Sequence, residues 1–114
     1  MKLAIVGSRE WTDFDRLAFA ADALNPSSIV SGGASGADAL ARRYAQERGL
    51  PLTEHLPDET KGFPACFHIR NRQIAADCGQ VLACIIGDSR GTASTVREAR
   101  RLGKPVTILE AFKF

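Results

Sequence analysis

Apolar positions along the chain alternate between two registers. Leu3-Ala4-Ile5-Val6 is an unbroken apolar run of strand length, the pattern of a strand buried on both faces, and it ends in Gly7-Ser8-Arg9. A helical period follows: Phe14, Leu17, Ala18, Ala21 and Leu24 mark one face of a helix that Thr12 or Asp13 can cap and Asn25-Pro26 stops. Ser28 to Ser31 predicts a second strand. Ala37, Leu40, Ala41, Tyr44 and Ala45 predict a second helix, ending at Arg48-Gly49 with Pro51 beyond. Leu52 to Leu56 reads as a short third strand, and Pro57 to Pro64 as one irregular loop. A helix over Ala65 to Cys78 stops at Gly79, and Val81 to Ile86, the most apolar segment, predicts a central strand. A last helix buries Val96, Ala99 and Leu102 and ends at Gly103 and Pro105, before a final strand over Val106 to Leu109.

Strands alternating with helices predict an α/β fold, a single domain over residues 1–114 with about five parallel strands in a doubly wound sheet. Right-handed crossovers give the order 3-2-1-4-5. The topological switch then lies between the first and fourth strands, and ligands of such sheets sit there, at the carboxyl ends. Three turns converge on that place: Gly7-Ser8-Arg9, Ser31 to Gly36, and Gly87 to Thr92.

Composition narrows the class. A chain of 114 residues, 25% charged and 45% apolar, is an ordinary globular domain long enough to bury a core. A net charge of +2 is too small to predict a nucleic-acid or membrane surface, and few aromatics look exposed, so nucleic acid is not expected as a partner. No apolar run approaches the ~20 residues of a membrane span, and Met1-Lys2 leads straight into a strand rather than a signal peptide. Cys66, Cys78 and Cys84 lack any C-x-x-C pair and read as reduced thiols, which places the protein in the cytoplasm; no metal-ligand spacing includes them, His55 or His68. The apolar tail Ala111-Phe112-Lys113-Phe114 can cover a sheet edge or a partner, or fold over its own core.

The three turns carry the candidate chemistry. The run Val30-Ser31-Gly32-Gly33-Ala34-Ser35-Gly36-Ala37-Asp38 is strand, glycine turn and helix start, the arrangement that offers backbone N–H groups and a helix dipole to a phosphate. It matches neither G-x-x-x-x-G-K-[ST] nor G-x-G-x-x-G, and tight packing is the other reason for such glycines. Together the turns supply Gly7, Gly32, Gly33, Gly36, Gly87 and Gly91, the hydroxyls of Ser8, Ser31, Ser35, Ser89 and Thr92, the carboxylate of Asp38, and the guanidiniums of Arg9 and Arg90. Arg70-Asn71-Arg72 lies on the helix after the irregular loop. Arg70 and Arg72, about 200° apart around the axis, cannot share one face, so one can meet a ligand while the other stays on the surface. Trp11 can stack on a base or simply pack.

In this order, Gly7-Ser8-Arg9-x-Trp11-x-Asp13, Ser31-Gly32-Gly33-Ala34-x-Gly36-Ala37-Asp38, Pro57-Asp58, Arg70-Asn71-Arg72 and Gly87-x-Ser89-x-Gly91-Thr92 resemble the SLOG superfamily, and within it the YspA, cpYpsA-related group. The resemblance implies a Rossmann-like three-layer sandwich that binds a nucleotide or an ADP-ribose-like derivative through these turns and the Arg70-Asn71-Arg72 helix, with no further cofactor. It also implies self-association, as a dimer. The superfamily includes the LONELY GUY phosphoribohydrolases, with the signature P-G-G-x-G-T-x-x-E after an upstream arginine. Gly91-Thr92 matches the G-T and Arg72 stands for the arginine, but Ile86-Gly87-Asp88 replaces the start and Thr95 the glutamate. A threonine cannot serve as the carboxylate, which leaves Arg72, Asp88 and Glu98 as catalytic candidates for releasing base from a nucleoside monophosphate. It also includes the single-strand-binding SLOG domain of DNA-processing protein A, a lesser alternative.

Overall fold

The computed structural model of the chain describes residues 1–112. Five strands, β1 (Lys2–Gly7), β2 (Ser28–Ser31), β3 (Leu52–Glu54), β4 (Gln80–Ile86) and β5 (Val106–Ala111), pair in parallel in the order β3-β2-β1-β4-β5. Four helices connect them: α1 (Phe14–Leu24), α2 (Ala37–Arg48), α3 (Ala65–Ala76) and α4 (Arg90–Arg101). This is the α/β three-layer, Rossmann-like architecture that the alternation of periods predicts.

Strand side chains alternate between faces, so β1 feeds two cores. Leu3 and Ile5 join Ile29, Leu82 and Cys84 beneath Phe14, Leu17 and Ala21 of α1 and Ala41 and Tyr44 of α2. Ala4 and Val6 join Val30, Val81 and Ala83 against Ile74 and Ala75 of α3 and Val96 and Ala99 of α4. The helices thus divide by layer, α1 and α2 on one side and α3 and α4 on the other. Trp11 is 1% exposed in the first core, and its indole N–H donates to the Asp13 carbonyl at 3.0 Å; it packs and is no stacking surface.

The differences from expectation lie at element ends. β3 stops at Glu54 and leaves Leu56 64% exposed, because Ser31, the last residue of β2, pairs with Glu54. The irregular loop holds one 3₁₀ turn, Glu59–Lys61, started by Asp58 accepting from Thr60 N–H at 3.1 Å. α3 ends at Ala76, before Cys78. α4 starts at Arg90, so Gly91 and Thr92 belong to its first turn, and Leu102 is a half-exposed C-cap rather than core. β5 continues to Ala111 because Ile85 and Ile86 of β4 still pair with it there. Ala111 ends this edge strand and Phe112 is 81% exposed; Lys113 and Phe114 of the apolar tail lie outside the described residues. No helix among the described residues is long and apolar enough to cross a membrane.

Candidate functional site

A cavity of about 600 Å³ opens at the carboxyl ends of β1 and β4, the neighbouring strands from which the chain departs to opposite layers. That volume falls in the range of small-molecule sites. One wall is the β1–α1 turn, with Gly7, Ser8, Arg9 and Glu10. A second is the inward face of α3, with Phe67, His68, Arg70, Asn71 and Ile74. The third is the β4–α4 turn and first helical turn, with Asp88, Ser89, Arg90, Gly91, Thr92 and Thr95.

The α4 end has the features of an anion site. A helix leaves its first N–H groups without intrahelical partners, and the dipole makes that end positive. At α1 the Asp13 carboxylate fills this role by accepting from Arg16 N–H, whereas no side chain caps α4: the Ser89 hydroxyl turns to Thr92 Oγ1 at 2.7 Å instead. Gly91 presents no side chain there, and a Cβ at that position would meet nothing within 4 Å. Two guanidiniums stand at the mouth. Arg42, Arg43, Arg48 and Arg101, all away from the cavity, are ion-paired to carboxylates; among the described residues Arg9 and Arg90 make no such pair.

The Ser31-to-Gly36 turn is used differently from the expectation that it cradles phosphate. Two N–H groups of this segment are engaged within the fold. Ala34 N–H donates to Asp38 Oδ2 at 3.1 Å, and Ala37 N–H, at the start of α2, donates to the Ser8 carbonyl at 3.1 Å. Gly36 adopts φ +71°, and a side chain on it would lie 2.4 Å from the Arg9 backbone. The β1–α1 turn therefore sits directly on the α2 N-terminus. Only Ala34 and Asp38 of this segment line the cavity; Ser31, Gly32, Gly33, Ser35 and Gly36 do not. Ser31 Oγ is buried beside the Asp38 carboxyl.

A buried relay joins the walls. Arg70 Nη1 donates to the Gly32 carbonyl at 3.0 Å, and Arg70 Nε donates to Asn71 Oδ1 at 2.9 Å. Asn71 Nδ2 and Thr95 Oγ1 both donate to the Gly91 carbonyl, at 3.3 and 3.4 Å. Burial pushes the Asp38 carboxyl above its usual range, against the Ala34 N–H and the Arg70 charge, which favour the carboxylate. Burial likewise lowers Arg70, and the like charge of Arg9 adds to this. Arg70 is thus a cleft residue engaged with the protein itself.

Of the remaining expected residues, Gly7, Ser8, Arg9, Asn71, Ser89, Arg90, Gly91 and Thr92 come together in the cavity, while Gly87 lies outside its lining. Arg72 is exposed on another side of α3, as the helical angle requires. Glu98 pairs with Arg101 at 3.0 Å, outside the lining, so among Arg72, Asp88 and Glu98 only Asp88 reaches the cleft. His55 is held by Asp77 at 2.9 Å, away from the cavity, and all three cysteines are buried. No group of three or more His, Cys, Asp or Glu among the described residues could hold a metal ion. The sequence alone did not mark Glu10, Phe67 or Ile74 as lining residues, and Thr95, noted there only as standing at the glutamate position, lines the cavity too. The signal for two of them was present: Pro64, Phe67, His68, Asn71 and Ile74 recur at helical spacing and mark one face of α3.

Fold and cavity together define a Rossmann-like domain with a cleft at the sheet's switch point. Residues 1–62 match the YspA, cpYpsA-related SLOG family, and this chain belongs to it. The chain is 35% identical over 119 residues to the Gene 61 protein of Mycobacterium phage D29, covering 92% of this chain and 93% of that one. It is also similar to the structure of DNA processing protein A from Helicobacter pylori, described for its single-stranded DNA binding mode. There the TM-score is 0.69 and the identity 25%, over 95% of this chain and 64% of that one, so the chain spans a little under two thirds of that neighbour. This likeness overturns the expectation that nucleic acid is not a partner. Net charge averages over the whole surface, whereas three arginines, Arg9, Arg70 and Arg90, gather at one cleft; local potential is what a phosphate meets.

Proposed function

We propose that the cleft binds a nucleotide or a nucleotide-derived, ADP-ribose-like ligand, with phosphate on the first turn of α4 and Arg9 and Arg90 closing over it. The observation that carries this reading is the uncapped N-terminus of α4, opening with Gly91 into a cavity whose two mouth arginines have no carboxylate partner among the described residues. The aromatic and apolar side chains Phe67 and Ile74 of the opposite wall suit a base or ribose. Family membership supports the same reading.

The test is thermal unfolding with AMP, ADP-ribose, NAD, cyclic nucleotides and 5′-phosphorylated deoxynucleotides, followed by mass analysis of each ligand. A ligand at one hundred times its dissociation constant adds about 2.7 kcal/mol of stability. The ligand is expected to emerge intact, and the stabilisation to disappear in the Arg9→Ala/Arg90→Ala double variant. No stabilisation anywhere in the panel, or stabilisation undiminished in the double variant, sinks the reading. Released base would instead make the protein a phosphoribohydrolase-like enzyme, with Asp88 the first carboxylate to replace.

A second reading, in which the bound nucleotide is part of a single strand of DNA, is favoured by the likeness to DNA processing protein A. Its mark is binding to oligonucleotides that weakens as salt rises.

A further inference from the structure

We propose that the ring of Phe63, immediately outside the cleft, is a stacking site for a second base, so that the natural ligand has at least two linked nucleotides and continues as a single strand. The proposal rests on the reading of the cleft as a nucleotide-phosphate site and extends it along the α3 wall.

Phe63 is 64% exposed. Its ring lies 5.5 Å, centre to centre, from that of Phe67 and is tilted by 51°. Phe67 forms part of the cleft wall, and the Arg70 guanidinium stands 5.9 Å from its ring centre. The cleft wall therefore continues outward as two aromatic rings in sequence, one inside and one beyond the rim, with the Arg70 guanidinium beside the inner one.

A base has a π-face whatever its identity, and aromatic rings along a basic groove are how proteins hold single strands without reading their sequence. The two rings meet in the tilted geometry of a packed aromatic pair, so the apolar wall runs without a break from Phe67 inside the cleft to Phe63 beyond its rim.

The experiment compares 5′-phosphorylated mono- and dinucleotides of deoxyadenosine and deoxythymidine by titration calorimetry, together with dinucleotides whose second unit is abasic. The dinucleotide is expected to bind about 5- to 150-fold tighter than the mononucleotide, the range that one base–aromatic stack provides, and the abasic dinucleotide to bind like the mononucleotide. In Phe63→Ala the ratio of dinucleotide to mononucleotide affinity falls to about one, and Phe63→Trp restores it. Equal binding of mono- and dinucleotide by the unaltered protein overturns the proposal and leaves the cleft reading standing. So does a ratio that survives Phe63→Ala, or an abasic dinucleotide as tight as the complete one. Failure of every nucleotide to bind removes the cleft reading and this proposal together.

Discussion

Gly36 and Gly91 both stand where the chain enters a helix, yet they meet opposite demands. Gly36 combines φ +71° with backbone atoms of Ser8 and Arg9 within 2.4 Å of any Cβ. Gly36→Ala should destabilise the fold by about 2 kcal/mol or more, read from urea denaturation, since strain and overlap act together. Gly91 lies in the first turn of α4 with open space around it. Gly91→Ala should therefore leave stability unchanged or raise it by up to about 1 kcal/mol, while a methyl group at the anion-binding turn weakens nucleotide stabilisation. The two substitutions separate a glycine that the fold needs from one that the cleft needs. Titration adds a third case at this scale. Tyr44 donates to Asp22 Oδ1 at 2.7 Å, and Arg48 holds the same carboxylate. Burial and the hydrogen bond to Asp22 push the Tyr44 phenol up to about 12, so between pH 10 and 12 the folded state holds a proton that the unfolded chain has released. Stability must fall as pH rises through that window, and Tyr44→Phe should flatten the decline. At neutral pH the same substitution should cost about 1 kcal/mol for the lost hydrogen bond. Unfolding curves at a series of pH values check both.

Among the elements, α3 joins the β2–α2 turn to the first turn of α4. Arg70 reaches the β2–α2 turn at Gly32, and Asn71 reaches the first turn of α4 at Gly91. Asn71 is 4% exposed, and removing its amide leaves Arg70 Nε without its acceptor and Gly91 with only the Thr95 hydroxyl. Asn71→Ala should lower stability by roughly 1–3 kcal/mol and speed amide exchange at the start of α4 more than in its last turn. Uniform exchange along α4 in the variant would contradict the bracing role. The same element shows what a linear pattern can reveal. Its inward stripe recurs at three- and four-residue spacing and separates Arg70 from Arg72, but the partner of Arg70 is 38 residues away in sequence and carries no local signal.

Over the whole molecule, stability is graded from the sheet centre outward. β1 is buried through Leu3–Val6 and β4 through Val81–Cys84, whereas no residue of β3 or β5 is fully buried. Hydrogen exchange should therefore be slowest in β1 and β4 and fastest among strands in β3 and β5; equal protection across the five would refute this grading. The cleft lies at the end of the two slowest strands. A ligand site there rests on the least deformable part of the fold, and its mobile parts are limited to turns and side chains.

The apolar runs and helical stripes by themselves determined the α/β class, the five strands, their order and the place of the cleft. Those follow from burial period and from the handedness of crossovers, which are local or topological constraints. The glycine turns Gly7-Ser8-Arg9 and Gly87 to Thr92 were legible for the same reason: each follows a central strand and must open at the carboxyl edge. Only the tertiary structure decided which turn remains available to a ligand. Ser31 to Gly36 and Gly87 to Thr92 look alike as sequence, but the Asp38 carboxylate and the Ser8 carbonyl take the N–H groups of Ala34 and Ala37 beside the first, and no side chain caps the helix after the second. Free donors are a property of what packs against a turn, and packing joins residues that the sequence holds far apart.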